Sequence, residues 1–190
     1  MIIASGAEAL IDRADGVVVK QRVSKRYRLS EIDSRLRRER TRAEARIISA
    51  ARRIGVPTPI IHDLEDFEIV MEYIDGKALR DEIDTGLSHE TGRVVGLLHS
   101  GGIIHGDLTT SNIIYHREKI YLIDFGLAFF DTSTEARGVD IHVFFQTLRS
   151  GHEEAEEFAS AFGEGYRAVF DDSCEVLSRV KEIARRGRYM

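Results

Sequence analysis

The chain has no tryptophan, one cysteine and two prolines in 190 residues. The lone thiol, Cys174, cannot form an internal disulfide, which points to a reducing, cytoplasmic setting. No apolar run approaches the roughly 18 residues that a membrane span requires. The start, Met1-Ile2-Ile3-Ala4-Ser5-Gly6, lacks the basic leader and long apolar stretch of a signal peptide. Internal repeats and low-complexity tracts are absent as well. What remains is the composition of a soluble globular protein, 43% hydrophobic and 31% charged, long enough for one domain or two small lobes with a real core.

Positive charge is scarce except in one place. Residues 20–53 carry 13 Lys/Arg against 4 Asp/Glu, a balance of +9 in a chain of net charge −5, which leaves −14 for the rest. Such a segment suits either a polyanion or a solvated amphipathic helix. A second basic cluster, Arg185-Arg186-Gly187-Arg188, lies near the end of the chain.

Periodicity divides the chain unevenly. Residues 2–23 alternate apolar and polar runs around Gly6 and Asp15-Gly16, which predicts antiparallel strands, with Val17-Val18-Val19-Lys20 as a buried one. Residues 31–53 place Ile32, Leu36, Ala43, Ile47, Ile48 and Ala51 at helical spacing, and Gly55, Pro57 and Pro59 stop the helix. Phe67–Tyr73 reads as a further strand, broken at Asp75-Gly76. The remainder is mostly helical apart from one loop and hairpin. The expected fold class is α+β: a single unit over 1–190, with a small β-rich lobe at 1–74, a hinge at 75–76, and a mostly helical lobe at 77–190 that carries a basic tail.

The chemistry concentrates in that loop. His105-Gly106-Asp107-Leu108-Thr109-Thr110-Ser111-Asn112 is followed, twelve residues after the asparagine, by Asp124-Phe125-Gly126. Two short apolar strands around a polar turn separate them, and a tight hairpin returns Asn112 and Asp124 to the same end. Two carboxylates and an amide oxygen then converge, a donor set that suits Mg²⁺ sharing phosphate ligands. An H-x-D-x-x-x-x-N loop followed by D-F-G is the catalytic signature of protein kinases. On this reading Asp107 orients the acceptor and takes its proton, while Asn112 and Asp124 hold the metal. Lys20, closing the β-branched run, contacts the α- and β-phosphates of ATP, and Glu44, preferred over Glu39, pairs with it. Met71, Glu72 and Ile74 form the hinge against adenine. Gly6, Ala7, Glu8 and Ala9 stand where a glycine-rich loop belongs, though with one glycine. His105 reads as a structural pin, and Asp140 either bonds the catalytic-loop backbone or caps a helix.

Three further absences narrow the type. Gly106 replaces the arginine that in many kinases pairs with activation-loop phosphate, so switching of that kind is not expected. About a dozen residues separate Asp124-Phe125-Gly126 from Gly138-Val139-Asp140, and no Ala-Pro-Glu follows, so a peptide platform has no room. Thr109 stands where Ser/Thr kinases commonly carry lysine.

The chain resembles the small atypical kinase subunit of the KEOPS/EKC complex, the PRPK-like kinases. The resemblance runs through Ser5–Ala9, Val19–Arg28, Arg40–Arg46, His105–Asn112, Ile123–Leu127, Gly138–Asp140 and Arg186-Gly187-Arg188. It implies a minimal bilobal kinase fold that binds ATP and Mg²⁺, autophosphorylates and acts as an ATPase. It also implies a complex that installs threonylcarbamoyl on tRNA. The partners implied are the threonylcarbamoyl transferase subunit, a small helper subunit at the N-lobe, and tRNA through segment 20–53 and the tail. A RIO-type or small-molecule kinase is a second reading, which Asp-Phe-Gly and the short C-lobe disfavour; a pseudokinase scaffold is a third.

Overall fold

The computed structural model describes residues 2–5, 9–14, 16–25 and 27–186, with backbone alone for 2–5 and 14. Five strands make the first layer: β1 (Ile2–Ser5), β2 (Ala9–Ala14), β3 (Val17–Arg22), β4 (Ile61–Leu64) and β5 (Glu68–Glu72), in the order β1-β2-β3-β5-β4. Every neighbouring pair is antiparallel. Because side chains alternate along a strand, Val18, Lys20 and Arg22 share one face of β3. Their cross-strand partners are Met71 for Val18 and Ile11 and Ile69 for Lys20. The buried strand expected at Val17–Lys20 is therefore only half right. The valines are half-buried, and Lys20 and Arg22 are the buried residues, 7% and 5% exposed.

Between β3 and β4 runs α1 (Ser30–Arg53), whose bounds match the sequence expectation closely. It ends as a glycine-stopped helix does: Gly55 takes φ +91°, and Val56 N–H closes back on Ala51 O at 3.1 Å. Its inner face serves two cores. Ala45 joins Ile69 and Met71 beneath the sheet, whereas Ile47, Ile48 and Ala51 enter the large core of the second lobe.

That lobe contains β6 (Lys77–Ala78), α2 (Leu79–Glu82), α3 (Thr85–Ser100), β7 (Ile103–Ile104), β8 (Ile113–His116), β9 (Lys119–Leu122), β10 (Phe129–Phe130), α4 (Thr134–Gly151), α5 (Ala155–Arg167) and α6 (Ser173–Arg186). Its core gathers Leu98, Phe144, Phe162 and Tyr166 with Leu108, Leu122 and Phe125 from the loop region. β8 and β9 are the expected hairpin, closed by Arg117 and Glu118, both at positive φ (+47° and +61°). That geometry fits a two-residue turn of the twist hairpins prefer, here made without glycine. Among the described residues no helix is long and apolar enough to cross a membrane.

α3 and α5 pack so closely that two glycines are obligatory. A Cβ on Gly165 would sit 1.9 Å from His89 O, and one on Gly92 2.1 Å from Phe162 O. Gly151, at the end of α4, has nothing within 4 Å of its Cβ position. Gly165→Ala should lower stability by about 1–3 kcal/mol through overpacking, whereas Gly151→Ala should be neutral or gain a few tenths of a kcal/mol from helix propensity. Urea midpoints at unchanged m-value measure both.

Candidate active site

The turn after α1 brings the two lobes into register. Pro57 O accepts Leu122 N–H at 3.0 Å, so the linker from the helix is stitched to the hairpin that leads to Asp124. Between the lobes lies a cavity of about 270 Å³. Ile11, Val18, Met71, Ile114 and Ile123 supply apolar walls, and Lys20, Glu44, Asn112 and Asp124 gather at its polar side.

Lys20 Nζ lies 2.6 Å from Glu44 Oε1 and 2.6 Å from Asp124 Oδ1. Burial acts to depress the Lys20 pKa, but the two carboxylates outweigh it and hold it above the usual lysine range. Burial likewise opposes the charged form of Asp124. Lys20 and the Gly126 amide, 3.2 Å from Oδ1, overcome that and keep the carboxyl below the ordinary range. Asp124 sits at φ +60°, a backbone position that turns its side chain back toward β3, and it stays 43% exposed.

Hairpin closure acts as the spacing predicts. Ile123 N–H donates to Asn112 O at 3.0 Å, which sets Asn112 beside Asp124 at the cavity. Asn112 Nδ2 donates to Asp107 O (2.9 Å) and Oδ2 (3.0 Å). With Nδ2 engaged, Asn112 Oδ1 has no hydrogen bond among the described residues. Met71, Glu72 and Ile74 also line the cavity. The buried Ile74 amide donates to no group among the described residues, a donor available to a heterocyclic ring. Of the expected phosphate loop, Gly6, Ala7 and Glu8 lie outside the described residues. Ala9 opens β2 opposite Arg22 and does not line the cavity.

Asp140 settles one of the open alternatives. It lies inside α4, not at its start; Ser133 caps that helix, accepting from Ala136 N–H at 3.2 Å. The Asp140 carboxylate instead accepts the backbone N–H groups of His105 and Gly106, both at 2.9 Å, and sits 3.2 Å from His99 Nε2. His99 Nδ1 in turn meets the Tyr166 hydroxyl at 2.9 Å. Burial works against the Asp140 anion, yet His99, His105 and the loop amides hold its pKa below the carboxylate range. His105 is fully buried, donates Nε2–H to Ile123 O at 3.0 Å and packs on Phe125 with ring centroids 4.8 Å apart. Burial pushes its pKa below 6.5 despite Asp140, Asp124 and Asp107, so it is a neutral pin.

Gly106 has its own steric reason. It adopts φ +79°, and a Cβ there would meet Leu127 O at 2.3 Å. The arginine common at this position in kinases cannot fit, because the residue after Asp-Phe-Gly crosses directly over the loop.

The basic segment is largely consumed internally. Lys20 and Arg22 face Glu44; Arg37 bonds Asp33 at 2.8 Å and stacks on Phe67 at 3.9 Å; Arg38 and Arg42 both reach Asp66. Arg35, Arg46 and Arg53 keep their charge unpaired among the described residues. Sequence reading missed Arg22 at the site, and also Ile11, Val18, Pro59, Tyr73, Ile114 and Ile123 in the cavity wall. Alternation supplied a signal for some of these: Ile113 and Leu122 enter the core, so Ile114 and Ile123 face the other way.

The small antiparallel sheet over a helical lobe, with a cavity between them, is a kinase-like fold. The family model described as the RIO domain matches residues 12–139. The Rio2 kinase of Chaetomium thermophilum superposes with a TM-score of 0.66 at 16% identity, over 97% of this chain and 71% of that one. The "probable serine/threonine-protein kinase BUD32 homolog" of Archaeoglobus fulgidus is 51% identical over 97% of this chain and 94% of its own. The "KEOPS complex subunit Bud32" of Pyrococcus abyssi is 42% identical, over 98% and 90%. A "probable bifunctional tRNA threonylcarbamoyladenosine biosynthesis protein" of Methanosarcina acetivorans is 55% identical over 97% of this chain, which spans 35% of that relative's length. The chain belongs to the Bud32 family of atypical, RIO-domain kinases. One expectation changes accordingly. Asp124-Phe125-Gly126 does not separate this chain from RIO-type proteins, and the RIO-type and KEOPS-kinase readings describe one family.

Acid should destabilise the protein in two stages. Unfolded histidine and aspartate titrate near ~6.5 and ~3.9. His105, depressed in the fold, contributes fully above ~6.5 and loses its contribution as pH falls toward its native value. Asp140 and Asp124, also depressed, contribute fully above ~4 and lose their part as pH falls further. Asp140→Asn should shrink the lower stage and cost about 2–4 kcal/mol at neutral pH, since a loop amide loses its acceptor. Urea unfolding across this pH span reads both effects.

Proposed function

We propose that this chain is an atypical Mg-ATP-dependent serine/threonine kinase and ATPase that serves a KEOPS complex in making threonylcarbamoyladenosine in tRNA. Residues 1–190 work as one kinase-like domain hinged at 75–76. The observation that carries the reading is Lys20, buried 2.6 Å from both Glu44 and Asp124 at the polar side of the interlobe cavity. A cation so placed, with Asn112 lining the same cavity and Asp107 hydrogen-bonded to Asn112, is what phosphoryl transfer needs, since that chemistry rests on positioning and electrostatics. Family membership agrees, and the names of the relatives supply the tRNA product and the complex.

The donor set fits Mg²⁺. Asp124 is a partly exposed carboxylate, and Asn112 Oδ1 is an unengaged amide oxygen at the same cavity, a pair of the kind that holds Mg²⁺ together with substrate phosphates. Bound there, the ion supplies charge neutralisation at the phosphates. Lys20, steadied by Glu44, adds its charge against the α- and β-phosphates. Asp107, oriented by Asn112 Nδ2, aligns the acceptor hydroxyl or water and takes its proton. The Ile74 amide and the Glu72 carbonyl receive adenine, with Met71 behind it; the phosphate-loop role of Gly6, Ala7, Glu8 and Ala9 rests on the sequence alone. The partners are the transferase subunit, a helper subunit at the N-lobe and tRNA, in the cytoplasm.

Following γ-labelled phosphate from ATP with Mg²⁺ tests the core of this reading. Asp107→Ala and Asp124→Ala should each lower turnover by about 10²-fold or more while the fold persists; turnover retained in both would overturn it. Label released as free phosphate and accelerated by the transferase and tRNA marks an ATPase module, and label kept on protein marks a kinase. For tRNA, neutralising Arg35, Arg46 and Arg53 should weaken binding and flatten its salt dependence. Removing Arg37 should instead lower stability, because its charge is spent on Asp33.

A further inference from the structure

The Lys20–Glu44 pair carries a third member. Glu44 is almost wholly buried, its side chain 1% exposed, and its two oxygens are divided between two cations. Oε1 takes Lys20 Nζ at 2.6 Å, and Oε2 takes Arg22 Nη2 at 2.6 Å. The division follows from strand geometry, since residues two apart on β3 face the same side and α1 lays Glu44 across both. A buried carboxylate with one oxygen unpaired is unfavourable, so Arg22 stabilises the rotamer in which Oε1 aims at Lys20.

Lys20 is contested in its turn. Its ammonium touches Asp124 at the same 2.6 Å as Glu44, and the two carboxylates differ in how they are held. Glu44 is buried and tied on both oxygens, whereas Asp124 is 43% exposed and steadied besides Lys20 by the Gly126 amide. Arg22 also stands next to that turn: a Cβ on Gly126 would lie 3.4 Å from Lys20 Nζ and 3.6 Å from Arg22 Nη2. Without the guanidinium, Glu44 loses its anchor and the lysine is left to the aspartate. An ammonium closed onto Asp124 is withheld from phosphate and blocks a carboxylate the metal needs.

We infer that Arg22 is a positioning residue of the nucleotide site: by holding Oε2 of Glu44 it keeps Oε1 on Lys20, so that the ammonium is shared between Glu44 and Asp124 and not given over to Asp124 alone. This deepens the nucleotide-site reading above and rests on it. The experiment measures Mg-ATP affinity by titration calorimetry and the KM and kcat of phosphate release, for the parent chain, Arg22→Gln and Arg22→Lys, with thermal midpoints alongside. Arg22→Gln should weaken Mg-ATP binding and raise KM about tenfold or more, equivalent to about 1.4 kcal/mol, with a smaller change in kcat. Arg22→Lys should recover most of the loss, because the contact uses one nitrogen. A lowered thermal midpoint with parent-like KM, or a lysine variant as impaired as the glutamine one, would overturn the inference. If Arg22→Gln does not fold, a cycle of Arg22→Lys and Glu44→Asp replaces it: coupled effects on Mg-ATP affinity support the inference, and additive ones reject it. A parent chain that binds no Mg-ATP rejects the nucleotide site itself. Binding without turnover rejects only the catalytic reading, and the affinities still decide the role of Arg22.

Discussion

Asp140 is the group around which the second lobe is arranged. An ionised carboxylate inside a protein is tolerable only when its oxygens are engaged by donors, and here the donors come from separate parts of the chain. The His105 and Gly106 amides belong to the loop that runs on to Asn112, and the His99 ring belongs to α3, itself tied to Tyr166 of α5. Satisfying one buried charge thus sets the loop against three helices. His105, fixed at its backbone by Asp140, passes the constraint on through Ile123 to the base of the hairpin and through Phe125 to the Asp-Phe-Gly turn. The positions of Asp107, Asn112 and Asp124 follow from this chain of contacts, whose members are mostly buried.

Much of this was visible before any coordinates. The helical stretch at 31–53 corresponds to α1 at Ser30–Arg53, since periodicity, Gly55 and the prolines all spoke for one element. The hairpin between Asn112 and Asp124 was legible because its strands alternate and its length is short. The fold class and the pairing of Lys20 with Glu44 followed from motif order. What stayed hidden depends on residues far apart in the chain. Arg22 is two residues from Lys20, but its alignment with Glu44 exists only once α1 crosses the sheet. Asp66 and Phe67, which occupy Arg37, Arg38 and Arg42, lie 24 to 30 residues beyond them, so the surplus charge of the segment overstated what its surface offers. Gly106 read as a missing arginine, while its cause, the carbonyl of Leu127, comes from the other side of the hairpin.

The same reasoning explains why departures from the common kinase pattern cluster together. Gly106 permits the segment after Asp-Phe-Gly to cross the loop at close range. That crossing leads straight into β10, which pairs with β7, and then into α4. A short segment tied down in this way has no need of a phosphate–arginine contact to order it. Missing arginine, missing platform and short connection are one structural choice.

The placement of α1 bears on how such a protein can be turned on and off. In a kinase controlled by swinging this helix, the helix belongs to the small lobe and rotates with little resistance from the large one. Here Ile47, Ile48 and Ala51 are embedded in the large core while Ala45 lies under the sheet. Each buried isoleucine resists withdrawal by about 1.5–3 kcal/mol, so the helix behaves as an axle shared by both bodies. Moving Glu44 away from Lys20 would mean pulling that axle from its bearing. Control is left to what enters the cleft and to what docks outside it.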